Sequence, residues 1–190
     1  KGSISKPGME MPVTVTKLQD KGMKFEYSMG NMKGFTIFTE NSGWAFNSYR
    51  SAQAEPLPDE MVRQKKEHMD AQGMLVNYKK KGHKVLLDGI DTVQSTGCYR
   101  VVVKSAAGNV SIMYLDTASY YCLKIVEKLV TNGKETEQST IYGDYKKLPE
   151  GILFPMMMNV GSGPMIVSSV EVNRQIPADF FKPTVSAEGK

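Results

Sequence analysis

Hydrophobic and polar positions alternate with a period of two along most of this chain. In "MKFEYSM", Met23, Phe25, Tyr27 and Met29 alternate with Lys24, Glu26 and Ser28; in "EMPVTVT", Met11, Val13 and Val15 share one parity. Successive side chains of a strand point to opposite faces, so each segment predicts a half-buried strand. "KGSIS", "FTIFTE" and "GWAFN" complete an N-terminal set. The pattern returns in "HKVLLDGIDTV", "GCYRVVVKS", "NVSIMYLD", "YYCLKIVEKLV", "ETEQSTIYGDYKKL", "GILFPMMMNV" and "PMIVSSVEVN". The links "GNMKG", "AAGN", "DTAS", "TNGK", "LPEG" and "GSG" are short, and Asn132-Gly133 is a strong hairpin signal. Short turns force antiparallel neighbours, so the strands predict a meander.

One segment reads as a helix. "PDEMVRQKKEHMDAQG", residues 58–73, has Asp59 as a candidate N-cap and Gly73 to close it. Its apolar stripe is thin, so it is expected to lie across the rim of a sheet with Met61, Val62 and Met69 inward. "IPADFFKP" reads as a final turn of helix or a short strand, after which the tail frays. The whole predicts a mainly β (α+β) chain: about ten or eleven strands, one helical insertion, and a single domain over 1–190. A sheet that wide curls into an incomplete barrel, and a larger barrel can enclose a ligand.

Parity assigns an inner face. Its sets are Met23/Phe25/Tyr27/Met29, Tyr99/Val101/Val103, Val110/Ile112/Tyr114, Tyr121/Leu123/Ile125, Phe154/Met156/Met158/Val160 and Ile166/Val170/Val172. The row "FPMMMNV" places Met156 and Met158 on one face and Met157 on the other. Methionine stands out in composition, with 13 residues. It fills irregular spaces and adapts to varied ligands, so this wall suits a cavity for acyl chains; a Met-rich core is the alternative. Trp44 and Phe46 share a strand face, either as core or at a cavity mouth.

Charge adds little. The net charge is +4, and the lysines are scattered except for Lys79, Lys80 and Lys81, with Lys84 just beyond. This cluster is a solvated loop or a contact for anionic head groups or an acidic partner. No basic stripe with interleaved aromatics appears, which argues against nucleic acid. No apolar run reaches the length of a membrane-spanning helix.

Catalytic and metal chemistry find no support. His68 and His83 are the only histidines, and no second His stands four residues from His68 to make a zinc helix. No nucleophile elbow, phosphate loop or dinucleotide fingerprint occurs. Cys98 and Cys122 open strands two steps apart, roughly 9.6 Å, while a disulfide needs Cα atoms within about 7 Å. Two free, buried thiols are expected. The reading is of a non-enzyme with no cofactor.

The residues resemble a known family. "KGSIS…GMEMPVTV", "SGWAFN", "LPDE…KKEHMDAQGMLVNYKKKGHKVLLDG" and "CYRVVV…YLDTASYYCLKI…YGDYKKLPEGILFP" look like LolA-like proteins, the periplasmic carriers that sort outer-membrane lipoproteins, and their relatives. The matching positions are Trp44 and Asn47; Leu87, Asp88 and Gly89; Leu115, Asp116, Ser119 and Tyr120; and Asp144, Tyr145, Gly151, Phe154 and Pro155. The resemblance implies a strongly curved antiparallel half-barrel with a helical lid and a concave face for lipid acyl chains. It implies a periplasmic monomer with its signal peptide removed. It also implies an inner-membrane transporter and an outer-membrane receptor as partners. Such proteins normally begin with a helix that is missing here, so a more open cavity and an anchor through a missing N-terminus both follow as expectations.

The leading expectation is a carrier of lipid or lipoprotein acyl chains, lined by Phe25, Tyr27, Trp44, Phe46, Met61, Met69, Met156 and Met158. The alternative is a non-enzymatic sensor or protein-interaction domain that uses the same barrel with a filled core.

Overall fold

The computed structural model describes residues 1–131, 134–160 and 163–184. The chain forms two compact units: Lys1–Gln72 together with the chain from Ser168 onward, and Gly73–Val167. The hairpin signal at Asn132-Gly133, most of the "GSG" turn and the frayed tail lie outside the described residues.

The first unit is built from β1 (Gly2–Lys6), β2 (Met9–Leu18), β3 (Gly22–Met29), β4 (Met32–Thr39), β5 (Gly43–Asn47) and β6 (Glu55–Pro56), in spatial order 6-5-4-3-2-1. All pairs given for these strands are antiparallel. The β3–β4 link is the two-residue turn Gly30-Asn31, with Met29 opposite Met32. Gly30 takes φ +56°, the left-handed region that such a turn needs.

Helix α1 (Asp59–Lys65) follows, then a single 3-10 turn, Lys66–Met69. The helix is shorter than the expected 58–73, and Pro58 rather than Asp59 holds the N-cap position. Its end has a visible cause. Asp70 is extended, and the Ala71 N–H donates to the Gln19 side chain at 2.9 Å instead of continuing the helical ladder. The tail segment is a turn, closed by Phe180 N–H to the Pro177 carbonyl and Lys182 N–H to Asp179.

The second unit contains β7 (Lys84–Val93), β8 (Thr96–Lys104), β9 (Val110–Asp116), β10 (Cys122–Thr131), β11 (Lys134–Lys147), β12 (Leu153–Asn159) and β13 (Pro164–Val167), in spatial order 13-12-11-10-9-8-7. Its core is Val101, Val103 and Met113, with Met74, Leu75, Val85, Leu115 and Ile125 packed against them. Within each unit the first and last strands of the order are not neighbours, so neither set of strands closes into a barrel. The described residues hold thirteen strands, more than the ten or eleven expected. One of the additions, β6, has two residues, too few to show an alternation.

Register corrects two of the parity sets. Val101 stands opposite Met113, so Val110, Ile112 and Tyr114 take the other face, and Ser111, Met113 and Leu115 take the core face. Met158 stands opposite Met165, which puts Ile166 with Met157 instead. Val170 and Val172 lie beyond the last strand.

Candidate functional site

In the first unit, cross-strand register decides which aromatic rings share a face. One row runs Val13–Tyr27–Gly34–Asn47, and the next runs Thr14–Glu26–Phe35–Phe46. Phe25 and Tyr27 therefore stand on one face and Trp44 and Phe46 on the other. These four residues, all expected to line one cavity, do not form one wall. The Tyr27 ring lies over Gly34, in the space a side chain there would fill, and its hydroxyl accepts from Asn47 Nδ2 at 3.4 Å. Phe25 sits beside it, with ring centroids 6.0 Å apart.

The helix covers the Tyr27 face at its Gly43 end. A Cβ on Gly43 would meet Val62 Cγ2 at 3.0 Å, and Val62 and Met69 are buried. Met61 is not turned inward as expected; it is 43% exposed. It lies about 100° around the helix from Val62, so a two-turn helix that buries Val62 turns Met61 to solvent.

The opposite face carries Phe180 and Phe181. The Lys24 ammonium lies 5.0 Å from the Phe180 ring centroid and 5.2 Å from that of Phe35. A pocket of about 440 Å³ opens there among Thr14, Lys24, Glu26, Lys33, Phe35 and Phe46. Lys24 pairs with Glu26 at 2.9 Å, so this space is amphipathic rather than a plain apolar cavity. A smaller recess of about 140 Å³ lies among Tyr27, Thr36, Ala45 and Asn47.

The second unit carries a row of mostly apolar residues across its strands. The register aligns Leu87 with Val101, Met113, Ile125 and Thr140. Two residues further along β11, Tyr142 stands opposite Met158, and Met156 shares its parity. Met156 and Met158 are half-buried, and Met157 points the other way, its Cε 2.9 Å from where a Cβ on Gly143 would sit. At the β7 end, Leu87 is 60% and Ile90 71% exposed. Ile90 is opposite Tyr99, which stacks on Tyr120 with ring centroids 6.1 Å apart. The turn that presents Tyr120 is tied by Asp116, which accepts from the Ser119 hydroxyl and from the Ala118 and Ser119 N–H groups. Those donors hold the Asp116 carboxyl below the usual carboxylate range.

Sequence reading missed Leu87 and Ile90 as members of this face. They are three apart, which in strict alternation means opposite faces. A bulge between them, with Gly89 at φ +102°, shifts the register and brings both to the side of Val101 and Tyr99. A glycine inside a strand pattern was the available signal.

Tyr142, Cys122 and Tyr145 stay protonated. Burial, chiefly, pushes the Tyr142 hydroxyl up to about 12 and the Cys122 thiol up to about 12. Burial also raises Tyr145, whose hydroxyl donates to the Cys122 carbonyl at 2.6 Å. Both cysteines are free; Cys98 is buried and Cys122 half-buried. His83 accepts from the Ala106 N–H at 3.2 Å, and His68 lies 3.5 Å from the Lys65 ammonium. Among the described residues no cluster of three or more His, Cys, Asp or Glu could hold a metal ion. No helix there is long and apolar enough to cross a membrane.

No family model matches the sequence, and no curated protein matches it. Solved structures do share the fold. A putative outer membrane lipoprotein-sorting protein domain from Vibrio parahaemolyticus superposes with a TM-score of 0.56 at 11% identity, over 90% of this chain and 81% of that one. A LolA superfamily protein from Nitrosomonas europaea gives 0.58 at 10% identity, over 95% and 86%. The open antiparallel sheet with its short helix is thus a LolA-like fold. At such identities the likeness establishes architecture alone.

Proposed function

We propose that this chain is a periplasmic carrier of the outer-membrane lipoprotein-sorting type, binding lipid or lipoprotein acyl chains without covalent chemistry. One observation carries the reading. The second unit presents an apolar face from Leu87 and Ile90, past the Val101–Met113 core, to Tyr142, Met156 and Met158, and its β7 end is open to solvent. Acyl chains laid on that face would be held by burial, at about 25 cal/mol per Å² of apolar surface. The methionines let one face accept chains of different length and branching. The likeness to a lipoprotein-sorting domain supports the same reading.

The test is native mass spectrometry of the purified protein, with organic extraction of whatever co-purifies. The expected result is an adduct of lipid mass that is lost when Met156 and Met158 are both changed to Trp. A mass that stays free of adducts after incubation with lipids and acylated peptides would overturn the carrier. It would favour a sensor or protein-interaction domain with a filled core.

A further inference from the structure

The second unit has a corner of one charge sign that the carrier reading does not use. Residues 71–87 and 92–115 contain no Asp or Glu, yet they hold Lys79, Lys80, Lys81, Lys84, Arg100 and Lys104. Arg100 is neutralised by an ion pair with Asp88. The others gather through the fold. Lys84 opens β7 directly opposite Lys104 at the end of β8. Like charges placed directly across a ladder are destabilising, and neither lysine has an ion-pair partner among the described residues.

The lysine turn before β7 is ordered. Its backbone is closed by Lys81 N–H to Asn77, Gly82 N–H to Lys79 and His83 N–H to Tyr78. It rests on the β8–β9 turn through the Ala106 N–H to His83 Nδ1, and a Cβ on Gly82 would stand 3.3 Å from that of Ala106. Lys79, Lys80, Lys84 and Lys104 are all exposed there. Leu86 shares the face of Lys84, the face opposite to Leu87, and is 62% exposed.

We propose that this corner docks reversibly on an anionic lipid bilayer, with the lysines on head groups and Leu86 entering the interface. Basic side chains near an anionic surface gain attraction within a Debye length, and an apolar side chain among them adds burial. An acidic protein would also satisfy the lysines, but it gives no reason for a leucine standing exposed beside them. The proposal does not depend on what the carrier face holds, because Leu86 and Leu87 point to opposite sides of β7.

The experiment is co-sedimentation of the purified chain with vesicles of phosphatidylethanolamine and phosphatidylglycerol, against pure phosphatidylcholine. Binding is expected only to the anionic vesicles, at low salt, and reversed by high salt. Lys79→Gln, Lys80→Gln and Lys84→Gln together should weaken it roughly hundredfold. Leu86→Ser should weaken it roughly fivefold. The Met156→Trp/Met158→Trp protein should sediment like the parent, which separates docking from uptake of lipid by the carrier face. All four docking substitutions are at exposed positions, and circular dichroism checks their fold. No binding to anionic vesicles, equal binding to phosphatidylcholine, or full binding by the triple Gln variant would overturn the proposal. Retention by immobilised polyglutamate without vesicle binding would overturn it in favour of an acidic polypeptide partner.

Discussion

Changing Leu87 and Ile90 to Ser together tests the carrier face at the place the sequence did not reveal. In the free protein these residues are 60% and 71% exposed, so most of their apolar surface waits for a covering group. Fully burying a Leu or Ile side chain is worth ~2 kcal/mol. Scaled by the exposed fraction, an acyl chain laid across them gains ~1.2 kcal/mol at Leu87 and ~1.4 kcal/mol at Ile90. The double variant should therefore bind a diacylated peptide about a hundredfold more weakly, since ~1.4 kcal/mol is tenfold. Folding should barely change, because substitutions at exposed sites usually stay within about 0.5 kcal/mol. The assay is displacement of a fluorescent fatty acid by the peptide, with a urea midpoint for each variant as the control. An affinity within about threefold of the parent, at an unchanged midpoint, would refute the idea that acyl chains reach β7.

Three further outcomes follow from the same geometry. Tyr142 and Cys122 have folded pKa values raised to about 12 from ordinary values of 10.0 and 9.0. A raised value favours the protonated form, so their stabilisation is complete below pH 9 and is lost as pH climbs from 9 through 12. Urea midpoints should be level from pH 7 to 9 and then fall; Tyr142→Phe should flatten the part of the fall above pH 10, a loss of about 2 kcal/mol or less since Tyr142 keeps some solvent contact. Val103→Ala removes two methyl groups from a fully buried position and should lower unfolding free energy by about 2–3 kcal/mol, read by urea titration. Neither Cys98 nor Cys122 should react with a thiol reagent at pH 8 in the folded protein, while both should react in denaturant; rapid native labelling of Cys122 would contradict its burial.

Much of the architecture was legible in the sequence because a strand's side-chain period is local. Alternation in "MKFEYSM" and "GWAFN" marks β3 and β5, and "FPMMMNV" divides Met156 and Met158 from Met157 as the structure does. The limits of helix α1 were less legible. The Gln19 side chain that takes the Ala71 N–H comes from 52 residues away, so no local pattern marks where the helix ends.

The sequence by itself determined most of the segments that become strands, how side chains alternate along the regular ones, and the methionine and lysine positions available for function. Only the tertiary structure decided which face of one strand meets which face of the next. Tyr27 and Phe46 belong to opposite faces because the turns at Gly30-Asn31 and Glu40–Ser42 set the registers, and a slip of one residue would exchange every side. Leu87 and Ile90 share a face because a bulge intervenes. Met61 faces solvent because burial of Val62 fixes the rotation of a short helix. Lys84 stands beside Lys104 because β7 and β8 pair in that register. Each of these depends on contacts between residues far apart in the chain, and a period of two carries no information about them.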